Sequence, residues 1–271
     1  MIVAGVDIGS VAAKAVIFGD NNLFSSHVVP TGANCNIAAE KALDVALKKV
    51  NVKKEDLAYI MATGYGRRAI DFGDGSITEI TADAKGAVYL GSSMGKVRTI
   101  INVGGQDTKV IILDENGTIS NFAMNDKCAA GTGRFLEVIA NALEESIESF
   151  SDLSLKSEEP ATINSTCTVF AESEVVSLVA QNISKQDIIA GIHKGVAKRI
   201  SDMSIGAGAK DVVFFDGGGA KNIGLKTALE KELGRKVFVS KIPQFTVALG
   251  AAIFGYEKAK KLKAKEAKPA E

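Results

Sequence analysis

Apolar and β-branched residues run through 2–8, 13–19 and 24–29, interrupted by the turn sequences Asp7-Ile-Gly-Ser10 and Gly19-Asp-Asn-Asn22. That rhythm predicts three strands of a meander. From Asn36 to Val50 the period lengthens, placing Leu43, Leu47 and Val50 on one face of a capped amphipathic helix. A strand over 58–63 and a helix near 81–91 complete a βββαβα half. Strands over 98–104 and 108–114 then restart the order. Helices are predicted at 131–147, 170–183, 185–206, 222–233 and 245–262, and an apolar strand ends in Phe214-Phe-Asp216.

The restart is more than a resemblance of pattern. Shifted by 95 residues, Asp7 falls on Asn102, Gly9 on Gly104, Lys14 on Lys109 and Val16-Ile17 on Ile111-Ile112, with no gap through Ser25 on Ser120. Apolar hairpins with glycine turns look alike in any α/β protein, but a gapless register favours duplication.

Composition narrows the function. The 271 residues are 46% hydrophobic, enough for one large core or two small ones, which argues against disorder. Lys plus Arg (32) equals Asp plus Glu (32), so no overall field draws the chain to nucleic acid or an anionic membrane. The run Met1–Val6 lacks a basic flank and stops at Asp7, and no later run approaches the ~20 residues of a membrane span. A soluble, cytoplasmic protein is expected. Three cysteines suit free thiols or metal ligands better than a disulfide framework.

The 27 glycines matter by position. Tight turns with successive backbone N–H groups make anion-binding concavities, so two glycine hairpins read as a phosphate clamp, one side in each half. In the first, Gly9, Ser10 and Ala13 line the turn. Asp7 is placed to hold Mg²⁺ through water and Lys14 to reach a β- or γ-phosphate. In the second, Asn102-Val-Gly-Gly-Gln-Asp-Thr-Lys109 offers Gly104 and Gly105 to phosphate, while Gln106 and Asp107 can orient an attacking or metal-bound water. A third cluster, Gly217, Gly218 and Gly219, sits between a strand and a helix, where backbone can approach a nucleoside closely.

This order of motifs resembles the sugar kinase, Hsp70 and actin superfamily: an α/β, duplicated ribonuclease-H-like fold whose two domains close on ATP. The resemblance implies a first half over 1–95, completed by a C-terminal helix over 245–271, and a second half over 96–244. Closer still, Asn125-Asp-Lys-Cys-Ala-Ala-Gly-Thr-Gly-Arg-Phe-Leu136 and Ser165-Thr-Cys-Thr-Val-Phe-Ala-Glu-Ser-Glu-Val175 resemble signatures of the ATP-dependent activators of 2-hydroxyacyl-CoA dehydratases, related to benzoyl-CoA reductase ATPase subunits. The resemblance implies a homodimeric ATPase carrying one [4Fe–4S] cluster between two protomers. Its role would be to pass low-potential electrons from reduced ferredoxin or flavodoxin to an iron–sulfur dehydratase or reductase. It also sets Gln244 in a loop on the nucleotide side.

The cysteines agree with that implication. Cys128 and Cys167 are each expected at the start of a helix, where the positive dipole end favours thiolate. A [4Fe–4S] cluster usually takes four thiolates, so two per chain call for a two-fold axis. Cys35, outside both signatures, reads as an ordinary thiol. Glu172 and Glu174 either cap the following helix or tune the cluster. His27 and His193 are isolated, His193 being expected on a helix surface. The activators resembled carry His at the position of Asp83, and an apolar residue and Val at those of Asp216 and Gly219. A reductase of a double-cubane-cluster protein would share every motif quoted. A sugar or small-molecule kinase would need a carboxylate base but neither cysteine, and a nucleotide-sensing scaffold would not need Gln106 and Asp107.

Overall fold

A computed structural model describes residues 1–20, 24–163 and 168–266. The chain divides into two compact units, Met1–Ser92 joined by the segment from Phe245 onward, and Ser93–Gln244. The first unit begins with β1 (Ile2–Ile8), β2 (Ala12–Gly19) and β3 (Phe24–Pro30), followed by α1 (Cys35–Lys49), β4 (Leu57–Thr63), β5 (Gly75–Ser76) and α2 (Glu79–Leu90). The second unit contains β6 (Thr99–Val103), β7 (Thr108–Leu113), β8 (Ile119–Asn125), α3 (Gly133–Ala142), α4 (Ser149–Ser154), α5 (Thr168–Ala180), α6 (Lys185–Ala207), β9 (Val213–Asp216), α7 (Ile223–Leu233) and β10 (Val237–Phe238). Helix α8 (Thr246–Glu266) returns the chain to the first unit.

The two sheets share one topology. The first is ordered β3-β2-β1-β4-β5 and the second β8-β7-β6-β9-β10. In each, the first three strands pair antiparallel and the remaining two add on parallel. The 95-residue shift reappears as register: Asp7 lies opposite Lys14, and Asn102 opposite Lys109.

Local chemistry sets the elements. Asn34 caps α1 by accepting from Ile37 N at 3.1 Å, and Lys48 and Lys49 close its last turn, where cations suit the dipole. Its buried face (Ala39, Leu43, Ala46) packs with Ala4, Val6 and Ile8 of β1. The opposite sheet face is covered by α8, whose backbone comes so close that a Cβ on Gly5 would collide with Ala248 O. Gly86 and Gly250 permit the same intimacy between α2 and α8. In the second unit, Ile101, Val103, Val110, Ile139, Ile189, Ile200 and Phe215 form the core.

Three expectations need correction. The helix expected over 131–147 is shorter, α3 alone, because residues 126–132 form a loop and Glu144 turns left-handed at φ 54° beyond Ala142; α4 follows outside that range. The edge strand β8 was not anticipated. His193 is buried in α6 rather than surface-lying. No described helix is long and apolar enough to cross a membrane.

Candidate functional site

Each unit presents a set of polar groups at the carboxyl ends of its central strands, where α/β sheets hold ligands. In the first unit Asp7 is the penultimate residue of β1, and the turn beyond the strand is fixed by Gly9 N donating to Ala12 O at 3.1 Å. Lys14 Nζ donates to Asp7 Oδ2 at 2.8 Å, from a partly exposed side chain to a buried one. Thr31 braces the turn, its Oγ1 donating to Gly9 O at 2.7 Å and its N to Val11 O at 2.9 Å. Ser10 is exposed at the tip. The Ala13 side chain belongs to the hydrophobic core, so that residue offers only its backbone.

The second unit repeats the scheme with altered side chains. Gly104 N donates to Asp107 O at 2.9 Å, and Lys109 Nζ donates to Asp107 Oδ1 at 2.6 Å, both side chains buried. Gln106 is exposed on the turn beside Gly104 and Gly105. Gly217, at φ 79°, begins the third glycine cluster, and its N donates to Pro243 O at 3.1 Å. Gln244, half-buried beside Pro243, is thereby brought to the start of Gly217-Gly218-Gly219.

Sequence reasoning passed over a counterpart of that cluster. Thr63-Gly-Tyr-Gly66 stands to β1 as Asp216-Gly-Gly-Gly219 stands to β6: Thr63 pairs with Asp7, and Asp216 with Asn102. Gly64 and Gly217 both take positive φ, 84° and 79°, and a Cβ on either would meet the carbonyl of Ile8 or Val103. Gly66 and Gly219 press against the side chains of those same two residues. The signal was present as a Gly-x-Gly after an apolar strand. Lys109, the buried partner of Asp107, was also overlooked as a site residue.

The second turn is tied to the loop that carries Cys128. Gly133 N donates to Gly104 O at 2.9 Å and Arg134 N to Gly105 O at 2.8 Å, so α3 begins on the glycine turn itself. Thr108 Oγ1 donates to Gly131 O at 2.6 Å, and Asn125 Nδ2 donates to Cys128 O at 2.9 Å and Ala130 O at 3.0 Å. Cys128 is a free, partly exposed thiol in this loop, five residues before α3 rather than at its first turn. Cys167 lies outside the described residues. Among those described, no three metal-ligating side chains cluster. Cys35 opens α1 and is far in sequence from either signature. Glu172 is exposed on α5, and Asp83 is buried on α2.

Each unit carries an acid that suits a hydrated Mg²⁺: Asp7 Oδ1 in the first and Asp107 Oδ2 in the second are buried carboxylate oxygens without a hydrogen-bond partner among the described residues. Burial pushes His193 down to about 4, which keeps the ring neutral. Its Nε2 lies 2.9 Å from Asn222 Nδ2. Asn222 Oδ1 already accepts from Leu225 N, so Nδ2 donates and the ring proton sits on Nδ1. His193 is therefore a core group and no part of either turn. His27, half-buried on β3, is held below its usual value by burial and by Lys49 and Lys41.

Two like-wound sheets with glycine turns at matching strand ends define the actin, Hsp70 and sugar-kinase fold class. A glucokinase from Streptomyces griseus in complex with glucose and AMPPNP shares this fold, with TM-score 0.56 at 14% identity over 95% of this chain and 100% of that one. Residues 4–255 match the BadF/BadG/BcrA/BcrD ATPase family, to which the chain belongs. It is 44% identical over 262 residues to the activator of lactoyl-CoA dehydratase from Anaerotignum propionicum, covering 96% of this chain and 100% of the relative. The activator of the 2-hydroxyisocaproyl-CoA dehydratase from Clostridium difficile, solved with bound ADPNP, superposes with TM-score 0.93 at 40% identity, each chain covered to 100%.

Proposed function

We propose that the protein is an ATP-hydrolysing, homodimeric activator that passes low-potential electrons, received from reduced ferredoxin or flavodoxin, to an iron–sulfur partner of the 2-hydroxyacyl-CoA dehydratase kind. The carrying observation is the hydrogen-bonded continuity from Gly104 and Gly105, through the start of α3, to the loop of Cys128. A change of backbone position at the glycine turn has a direct mechanical path to that thiol.

In this reading, Gly9, Ser10 and the Ala13 backbone receive phosphate oxygens in the first unit, and Lys14 supplies charge. Asp7 in the first unit and Asp107 in the second would each offer a carboxylate oxygen, unpartnered among the described residues, to a water of Mg²⁺, which neutralises phosphate charge when bound. Gln106, exposed beside Asp107, orients the attacking water. Gly217, Gly218 and Gly219 allow a nucleoside to lie against bare backbone, with Gln244 at its edge.

Cys128 and Cys167 of two protomers would hold one [4Fe–4S] cluster, which supplies the one-electron step. A single chain has too few thiols beside Cys128 for the usual four ligands, so a second copy is needed. Helix α5, which starts at Thr168, leaves Phe170, Val176 and Val179 exposed, apolar surface suited to a partner copy. The test is iron stoichiometry in anaerobically purified protein. About four irons per two chains are expected. Cys128→Ser or Cys167→Ser should bleach the protein and weaken the dimer, while Cys35→Ser should leave both intact. Four irons per single chain, or equal loss from Cys35→Ser, would overturn the assignment.

A further inference from the structure

We infer that Thr63 is a positioning residue of the nucleotide-bound cation: its hydroxyl and Asp7 Oδ1 together hold a water of the hydrated Mg²⁺. The inference rests on the ATPase reading above and adds to it a residue from β4.

Thr63 is the last residue of β4 and pairs in parallel register with Asp7, the penultimate residue of β1. Paired residues of parallel strands project to the same face of a sheet. Here it is the face under α8, since Gly5, two residues before Asp7, meets Ala248, and Met61, two before Thr63, meets Gly255. Thr63 is 0% exposed and Asp7 2%. Thr63 Oγ1 and Asp7 Oδ1 are both buried without a hydrogen-bond partner among the described residues. Lys14 occupies the other carboxylate oxygen, Oδ2, so the unsatisfied pair is specifically Oδ1 and Oγ1.

Three other buried threonines behave differently, although Thr168 Oγ1 on α5 is likewise without a partner among the described residues. Thr31, Thr99 and Thr108 each spend their hydroxyl on a backbone carbonyl, of Gly9, Lys210 and Gly131. A threonine kept only for packing would do the same, or be replaced by valine without an orphaned oxygen. Gly64, at φ 84°, keeps the space beside the carboxylate clear, because a Cβ there would lie 2.6 Å from Asp7 Oδ1. The duplicated half points the same way. Its matching strand ends carry Asn102 and Asp216, again one neutral and one acidic side chain in paired register, with the acid on the other strand. A hydroxyl can donate to one oxygen and accept from another, and Mg²⁺ retains several waters that need such partners.

The test measures metal binding directly. Mn²⁺ would be titrated by electron paramagnetic resonance into the dimer saturated with a non-hydrolysable ATP analogue. Thr63→Val, which keeps shape and removes the hydroxyl, should weaken Mn²⁺ about five- to tenfold, the loss of one net hydrogen bond. Thr63→Ala should show the same loss, and Thr63→Ser should restore affinity to within about twofold. Affinity for ADP in EDTA should be unchanged in all three. Wild-type Mn²⁺ affinity in Thr63→Val overturns the inference, as does an equal loss of metal-free ADP binding, which marks a packing role. Failure of the wild-type protein to bind Mn²⁺ with the analogue overturns the ATPase reading and this inference with it.

Discussion

At the scale of single residues, the informative groups are buried and charged. Asp107 is held by buried Lys109 through Oδ1 and keeps Oδ2 unpartnered among the described residues, so Asp107→Asn preserves shape and alters the oxygen assigned to the metal and water. Its hydrolysis rate should fall about 100-fold or more, in the range for groups that organise proton transfer, with ATP affinity changed by less than about threefold. Single-turnover kinetics beside equilibrium nucleotide binding would separate the two. Collapse of affinity with intact turnover would make Asp107 a binding residue. Lys14→Ala should mainly weaken ATP, since it removes a point charge, and unaltered affinity would take Lys14 out of the site. His193 makes a different prediction. Its folded value, about 4, lies below the 6.5 of the unfolded chain. The unfolded state thus binds a proton that the folded state refuses, and stability is whole above pH 6.5 and lost as pH falls toward 4. The loss is on the order of 3 kcal/mol. Urea titrations at pH 7.5 and 4.5 should show a slope that His193→Gln removes, and an unchanged slope in that variant would assign the acid sensitivity elsewhere.

At the scale of elements, glycines decide how closely helices and strands approach. Gly86 and Gly250 let α2 and α8 meet backbone to backbone, with Thr246 O and Ala82 O where a Cβ would go. Gly250→Ala or Gly86→Ala should therefore destabilise by roughly 1–3 kcal/mol or more, the cost of overpacking a well-filled contact, although alanine is the better helix former. Chemical denaturation would read this, and a neutral or stabilising effect would show that the crossing is loose. The same elements show what sequence makes legible. The first two hairpins could be read because their strands are long, buried on both faces and broken by Asp-x-Gly and Gly-Gly turns. Helix α1 could be read from its leucine spacing, although its cap is Asn34 and not the Asn36 at which the sequence pattern starts it. Strand β8 was hidden because it is an exposed edge: Phe122 and Met124 face outward, leaving no alternation to detect. Strands β5 and β10 span two residues each, below any periodic signal. His193 was misjudged by its lysine neighbours, although Ile189, His193, Val196 and Ile200 follow one buried helical stripe. The glycine hairpins of both halves were visible in the sequence, whereas the turn at Gly64 and Gly66 was passed over and Thr63 acquires significance only from the strand it pairs with.

At the scale of the whole molecule, the proposed activity needs two chains, a donor and an acceptor. With reduced donor and ATP, the dimer should reduce a separate iron–sulfur protein, and ADP should not replace ATP, because a nucleotide shifts an equilibrium only by its differential affinity for two states. Anaerobic capture of the acceptor in an ATP-transition-state mimic would identify it: dehydratase activity toward an acyl-CoA supports the activator role, whereas a double-cubane protein without that activity redirects it. Phosphorylation of a small molecule without electron transfer would sink both. The placement of α8 carries a consequence for how the protein is made. Residues 93–244 form a contiguous unit, complete once they leave the ribosome, but the sheet built from residues 1–92 lacks the helix that covers one of its faces until α8 is translated. At ~5–20 residues per second, that apolar face waits about ten to thirty seconds. The second unit is thus expected to fold first although it is encoded later. In arrested nascent chains, protease resistance should appear over residues 93–244 before it appears over the amino-terminal sheet, and chaperones should be found on the oldest part of the chain.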